Sequence, residues 1–169
     1  MLSGLATIIF GTSYETSDFI ADCLQKWWDE NKGHYAHIRE LVINLDNGPD
    51  IASCRTQFMK RMVEFANNNN LEIALVYYPP YHSKYNPIER YWGFLEKHWN
   101  GALLDSVQTV LEWARTMTCK GVSPIVHLLD KPYEKGVTIA KKAFKKIEEH
   151  LNRDELLPKY CIRIQPNPV

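Results

Sequence analysis

The side chains whose type and position could do chemistry in this sequence are acids. Asp46 closes an apolar run and enters Asp46-Asn47-Gly48-Pro49, a stretch with turn chemistry in every position. Glu89 stands three residues after Asn86, which is suited to cap a helix opened by Pro87. Each acid also has a plainer reading. An aspartate in an Asp-Asn-Gly turn can spend itself on its own backbone, and an acid at the third helical position resembles a capping box and complements the positive helix terminus. The other familiar groupings are missing from the sequence: there is no Ser-His-Asp arrangement, no phosphate-cradling glycine loop and no His-Glu-x-x-His. His34 and His37 are spaced to share a metal, but no third ligand lies near them, which reads as a surface loop.

These acids need elements to position them, and the pattern supplies a succession of strands and helices. Leu5 to Phe10 is an apolar, β-branched run that ends at Gly11 and predicts a buried strand. Phe19, Ile20, Cys23, Leu24, Trp27 and Trp28 recur at helical spacing, with Ser17 as the expected cap and Gly33 after the end. Leu41 to Leu45 predicts a second strand, which puts Asp46 at a strand's carboxyl end. A helix beginning near Ser53 carries Phe58, Met62, Phe65 and Ala66 on one face and stops in the Asn67 to Asn70 run. Ile73 to Tyr78 predicts a third strand, ended by Pro79-Pro80.

Strand, helix, strand, helix, strand argues for an α/β layer with crossover helices. The rest reads as helical: a stripe of Ile88, Trp92, Leu95 and Trp99, another of Val107, Val110, Leu111 and Ala114, and a last one of Ala140, Phe144, Ile147 and Leu151. The 169 residues are thus expected to form one domain, with an α/β core over 1–100 and a mostly helical portion over 101–169.

Composition narrows the class without naming a partner. The chain is 45% hydrophobic and 24% charged, which excludes disorder and collagen-like repeats. Twenty basic residues balance twenty acidic ones, so no global field announces a nucleic acid or a membrane. The first apolar run is too short for a membrane span and has no basic flank, which reads as a cytoplasmic protein with no membrane partner. Cys23, Cys54, Cys119 and Cys161 form no Cys-x-x-Cys and read as reduced, mostly buried thiols.

Taken with their flanks the acids say more. Leu45-Asp46-Asn47-Gly48-Pro49, and the segment from Tyr78-Pro79-Pro80 through Ser83-Lys84 to Asn86-Pro87-Ile88-Glu89, resemble the second and third acidic motifs of the DDE transposases. The nearest likeness is to the Rhodopirellula-type transposase DDE domain of bacterial insertion sequences. It also takes in Thr16-Ser17-Asp18-Phe19, Trp99-Asn100-Gly101 with Leu103-Leu104, Thr118 to Gly121, Tyr133 with Gly136, and Leu157-Pro158-Lys159-Tyr160. The resemblance implies a ribonuclease-H-like fold and a polynucleotidyl transferase that cuts and joins transposon ends with Mg2+ or Mn2+. Asp46 and Glu89 match the second and third metal-binding catalytic carboxylates. In-line displacement at phosphorus needs a clamp on the attacking and leaving oxygens, which two hard cations held by carboxylates provide.

Family members carry their first metal-bridging Asp on an opening strand, several tens of residues before the segment matching Leu5 to Phe10. The resemblance therefore implies an amino-terminally truncated, partial fold without that ligand and with little or no catalysis from this chain alone. Asp18, Asp22 and Asp29 are the early aspartates, and all fall on the predicted first helix. A partial sheet also predicts either self-association through the Leu5 to Phe10 strand or poor solubility.

DNA, both transposon ends and target, is the implied partner. Lys84 and Arg90 beside Glu89 are the expected phosphate contacts. Lys141, Lys142, Lys145 and Lys146 form a basic helix face whose plain reading is a solvated surface. Tyr78, Tyr81, Tyr85 and Tyr91 suit either base stacking or packing. Two other readings stand beside this one: a transposase-derived DNA-binding or oligomerisation module without chemistry, and an ordinary α/β domain in which Asp46 and Glu89 are turn and cap residues.

Overall fold

A computed structural model of the protein describes residues 5–79, 81–82 and 85–167. Eleven elements follow in order: β1 (Thr7–Gly11), α1 (Ser17–Asn31), β2 (Glu40–Leu45), α2 (Thr56–Asn69), β3 (Glu72–Tyr77), α3 (Pro87–Trp99), α4 (Val107–Thr116), β4 (Ile125–Leu129), α5 (Lys141–Glu148), β5 (Leu151–Arg153) and β6 (Cys161–Ile164). They divide into two compact units, one of residues 1–13 and 83–132, the other of residues 14–82 and 133–169.

The larger unit is built on a four-stranded sheet in the order β2-β3-β6-β5. β2 and β3 are parallel, paired from Glu40 with Glu72 to Leu45 with Tyr77, and α2 is the crossover between them. β6 runs antiparallel to β3, and β5 antiparallel to β6. A strand with neighbours on both sides is almost continuously buried, as β3 is at Ile73, Ala74, Leu75 and Tyr77. β2 has one neighbour, and its side chains alternate: Leu41, Ile43 and Leu45 pack on the core while Glu40, Val42 and Asn44 face out. On the sheet surface Arg163 bridges Glu40 and Glu72 across three strands.

The core lies between this sheet and α2, whose Phe58, Met59, Met62, Phe65 and Ala66 are buried, with Ala21 and Trp28 of α1 completing it. α2 ends where Asn70 adopts the left-handed conformation, its φ at 48°. The asparagine run can supply that conformation at little cost, which is why it is a good stop.

In the smaller unit β1 pairs in parallel with β4, from Thr7 with Ile125 to Gly11 with Leu129. α3 and α4 provide Tyr91, Leu95 and Ala114, which pack with Ile8, Met117 and Cys119. Thr12 donates to Asp130 at 2.7 Å, extending the β1–β4 alignment beyond the ladder. A tight reversal at Cys119–Val122 places Lys120 and Gly121 at φ of 53° and 77°, a pair of left-handed residues that suits a two-residue turn.

Several sequence expectations change here. The strand at Leu5 to Phe10 pairs with β4 and not with β2, so the expected single layer of three strands is two sheets. The portion over 101–169 is not mostly helical: it holds β4, β5 and β6 beside α4 and α5. These strands have three to five residues, too short for a period of two to be told from a helical stripe. Leu151, counted into the last helical stripe, begins β5.

On α3 the buried arc is centred on Tyr91 and Leu95, and Ile88 and Trp92 are exposed at 40% and 44%. Four apolar residues at helical spacing mark an arc wider than the one the neighbours cover. The cap of α1 is Thr16, which accepts from the Phe19 N–H, while Ser17 donates to the Asp50 carbonyl at 2.6 Å. Of the four thiols only Cys119 is buried, and Cys54 is exposed.

Candidate functional site

Asp46 is the first residue beyond the last pair of β2, at the carboxyl end of two parallel strands. Open α/β sheets present ligand-binding groups at that edge. The Tyr78 N–H still donates to the Leu45 carbonyl at 2.8 Å, so the backbone leading into Asp46 is held. Asp46 Oδ1 accepts from the Gly48 N–H at 3.2 Å, and Asn47 takes a φ of 66°. The plainer reading of this aspartate is therefore true of one oxygen, and the exposed carboxylate has no ion-pair partner among the described residues.

The loop after Asp46 is anchored from several directions. Asn47 Oδ1 accepts from the Ser53 N–H, the Ser17 hydroxyl holds the Asp50 carbonyl, and the Tyr77 hydroxyl donates to the Ile51 carbonyl at 2.8 Å. Arg153 of β5 donates to the Ser53 carbonyl at 3.1 Å. Burial pushes the Tyr77 phenol well above its ordinary range, so it remains a donor through the accessible pH range. Sequence reading could not find these anchors, because Ser17, Tyr77 and Arg153 reach the loop from three distant segments.

Glu89 lies in the first turn of α3, in the smaller unit. Asn86 caps the helix by accepting from the Ile88 N–H at 3.3 Å, with Pro87 in the first turn. The reciprocal half of a capping box is not formed: the exposed Glu89 carboxylate makes no hydrogen bond or ion pair among the described residues. It is an acid at a positive helix end that the fold leaves unspent. Arg90 next to it is exposed and has no ion-pair partner among the described residues, whereas Lys84 lies outside them. Tyr91 is 5% exposed in the core of its unit, which assigns it to packing, while Tyr81 and Tyr85 are exposed.

The early aspartates of α1 are engaged elsewhere. Arg61 of α2 donates to Asp18 at 2.8 Å and to Asp22 at 2.6 Å, Gln57 donates to both oxygens of Asp18, and the Tyr133 hydroxyl donates to Asp22 at 2.9 Å. Burial alone would lower the Arg61 pKa, yet its hydrogen bonds to Asp22 and Asp18 raise it above the ordinary value. Asp29 pairs with Lys32 on the helix surface. Among the described residues no group of three His, Cys, Asp or Glu side chains gathers as a metal site.

A family model for the Rhodopirellula transposase DDE domain matches residues 2–166. The chain belongs to this family. Membership gives the DDE domain a ribonuclease-H-like fold and a transposase role, for which DNA is the substrate class and divalent metal the usual cofactor of the family. No curated protein and no solved structure matches the chain. Among the described residues, no helix of this DDE domain is long and apolar enough to cross a membrane.

Helix α1 of the DDE domain also carries a titratable consequence. Burial, with the nearby Asp22 and Glu15 charges, pushes the Cys23 thiol up from 9.0 to about 12. The neutral thiol is favoured in the folded state, so its contribution is complete below about pH 9 and is lost as pH rises toward 12. Urea midpoints over that window should fall more steeply for the native chain than for Cys23→Ala. The difference should reach on the order of 2 kcal/mol, allowing for the partial exposure of the thiol.

Proposed function

We propose that this DDE domain contributes the second and third carboxylates, Asp46 and Glu89, to a divalent-metal site for DNA strand cleavage and strand transfer. The observation that carries this reading is that the two acids whose flanks resemble the family's motifs are both exposed and have no ion-pair partner among the described residues. The donor set fits magnesium or manganese, since both carboxylates are hard oxygen ligands. When bound, such ions supply Lewis-acid stabilisation of charge on the attacking and leaving oxygens. Asp46 offers its second oxygen from a loop whose shape is fixed before any ligand arrives. Glu89 offers a carboxylate on the first turn of a helix, where both its position and the terminal N–H groups are set by Asn86 and Pro87. Arg90, and Lys84 with it, would take the phosphate of the substrate strand.

The proposal includes catalytic silence of these 169 residues by themselves. β1 reads Thr-Ile-Ile-Phe-Gly and bears no acid, and Asp18 and Asp22 are already engaged by Arg61. Self-association through β1, which light scattering would register as a dimer or larger species, belongs to the same reading. The test is manganese-dependent nicking of a DNA end, by this chain and by a version extended upstream with a strand bearing the first Asp. Activity only in the extended version supports the proposal. Activity in neither, with DNA still bound, favours a module without chemistry.

A further inference from the structure

The lysines of α5 repel one another along their own helix. Elsewhere in the larger unit, lysines on or at the end of a helix have acids one turn away: Lys26 with Glu30 at 2.8 Å, Lys32 with Asp29 at 2.8 Å and Lys60 with Glu64 at 3.4 Å. On α5 the four-residue spacing instead joins Lys141 to Lys145 and Lys142 to Lys146, two like-charge pairs. All four lysines are exposed and none has an ion-pair partner among the described residues. Glu148 is taken by Arg153 at 2.8 Å, and Glu149, four residues after Lys145, forms no ion pair among the described residues. Lys141 and Lys142 also occupy the first turn, where the helix dipole is positive, and Ala140 provides no side-chain cap. Lys145 and Lys146, in the last turn, do complement the negative helix end, but the repulsion within the two pairs and the misplaced charge of the first turn remain, and a polyanion would relieve both.

We propose that the lysine face of α5 binds the phosphate backbone of duplex DNA, a contact that involves neither Asp46 nor Glu89. The inference rests on the reading of the chain as a DNA-acting domain. The scale is right: Lys141 to Lys146 spans about 7.5 Å of helix axis, and duplex DNA carries roughly four charges in the same length. A membrane is the poorer partner, because Phe144 and Ile147, the apolar side of α5, are already packed on the core and cannot enter a bilayer.

The test is fluorescence anisotropy of a labelled duplex titrated with the whole chain in EDTA at several salt concentrations. EDTA separates this contact from any metal-dependent chemistry. The variant carries Lys141→Gln, Lys142→Gln, Lys145→Gln and Lys146→Gln, and the control carries Lys26→Gln, Lys32→Gln and Lys60→Gln. Removing four phosphate contacts should reduce the slope of log K against log salt by about 3.6 and weaken low-salt binding by about tenfold or more. The control should keep the native slope. Thermal unfolding of the four-lysine variant should be unchanged or shifted upward, since two repulsive pairs are gone, which separates lost binding from lost structure. An unaltered slope in a chain that binds DNA overturns the α5 surface and leaves the DNA reading standing. Failure of the native chain to bind duplex, or binding to phosphatidylserine-rich vesicles in place of duplex, overturns the proposal.

Discussion

In a chain extended to carry the first acid, Asp46→Asn and Glu89→Gln should each reduce manganese-dependent DNA cleavage by about a thousandfold or more. A metal ligand contributes several kcal/mol of charge stabilisation at the reacting phosphate, and each 1.4 kcal/mol or so is a factor of ten. Both substitutions spare the fold. Asn in place of Asp46 retains an oxygen to accept from the Gly48 N–H, and Glu89 makes no hydrogen bond that Gln would break. Glu96→Gln, two turns along α3 and also exposed, is the control and should leave the rate within about twofold. Single-turnover rates with manganese would check the set. Loss of cleavage in both variants with unchanged unfolding midpoints would mark the acids as functional, and retained cleavage in either would remove it from the site.

The second large effect falls near the carboxyl end of the sequence, where terminal segments are commonly thought dispensable. Ile162→Ala should destabilise the larger unit by about 3 kcal/mol, a sizeable part of a domain stability of roughly 5–15 kcal/mol. Ile162 is wholly buried, stands opposite Leu75 in the β3–β6 pairing, and belongs to a strand with neighbours on both sides. Truncating it opens a cavity in the middle of the sheet. Leu156, 89% exposed in the preceding loop, should change stability by no more than about 0.5 kcal/mol when replaced by Ala. Urea unfolding of the two variants would read the contrast.

What was legible in the sequence and what was not divides along physical lines. Helices with long apolar stripes and strong end signals could be read: Asn86-Pro87 opens α3 and the asparagine run closes α2. The position of Asp46 at a strand end was legible too, because turn chemistry follows a β-branched run directly. Pairing was not. Whether β1 lies beside β2 or β4 depends on contacts between segments more than a hundred residues apart, and no local period encodes them. Nor could sequence reading rank the aspartates. Asp18 and Asp46 are alike as residues, and only the arrival of Arg61 from α2 shows that one of them is neutralised while the other is open. The Glu89 cap was ambiguous for a similar reason, since the same Asn-Pro-Ile-Glu string permits a capping box that the structure leaves half-formed.

The central proposal is that Asp46 and Glu89 hold the same divalent ions. Crystals of the chain grown with manganese and measured for anomalous scattering test it most directly. The account predicts a peak within coordination distance of both carboxylates, lost in Asp46→Asn and in Glu89→Gln. A strong peak held by other residues, or none near either acid at saturating manganese, would contradict it.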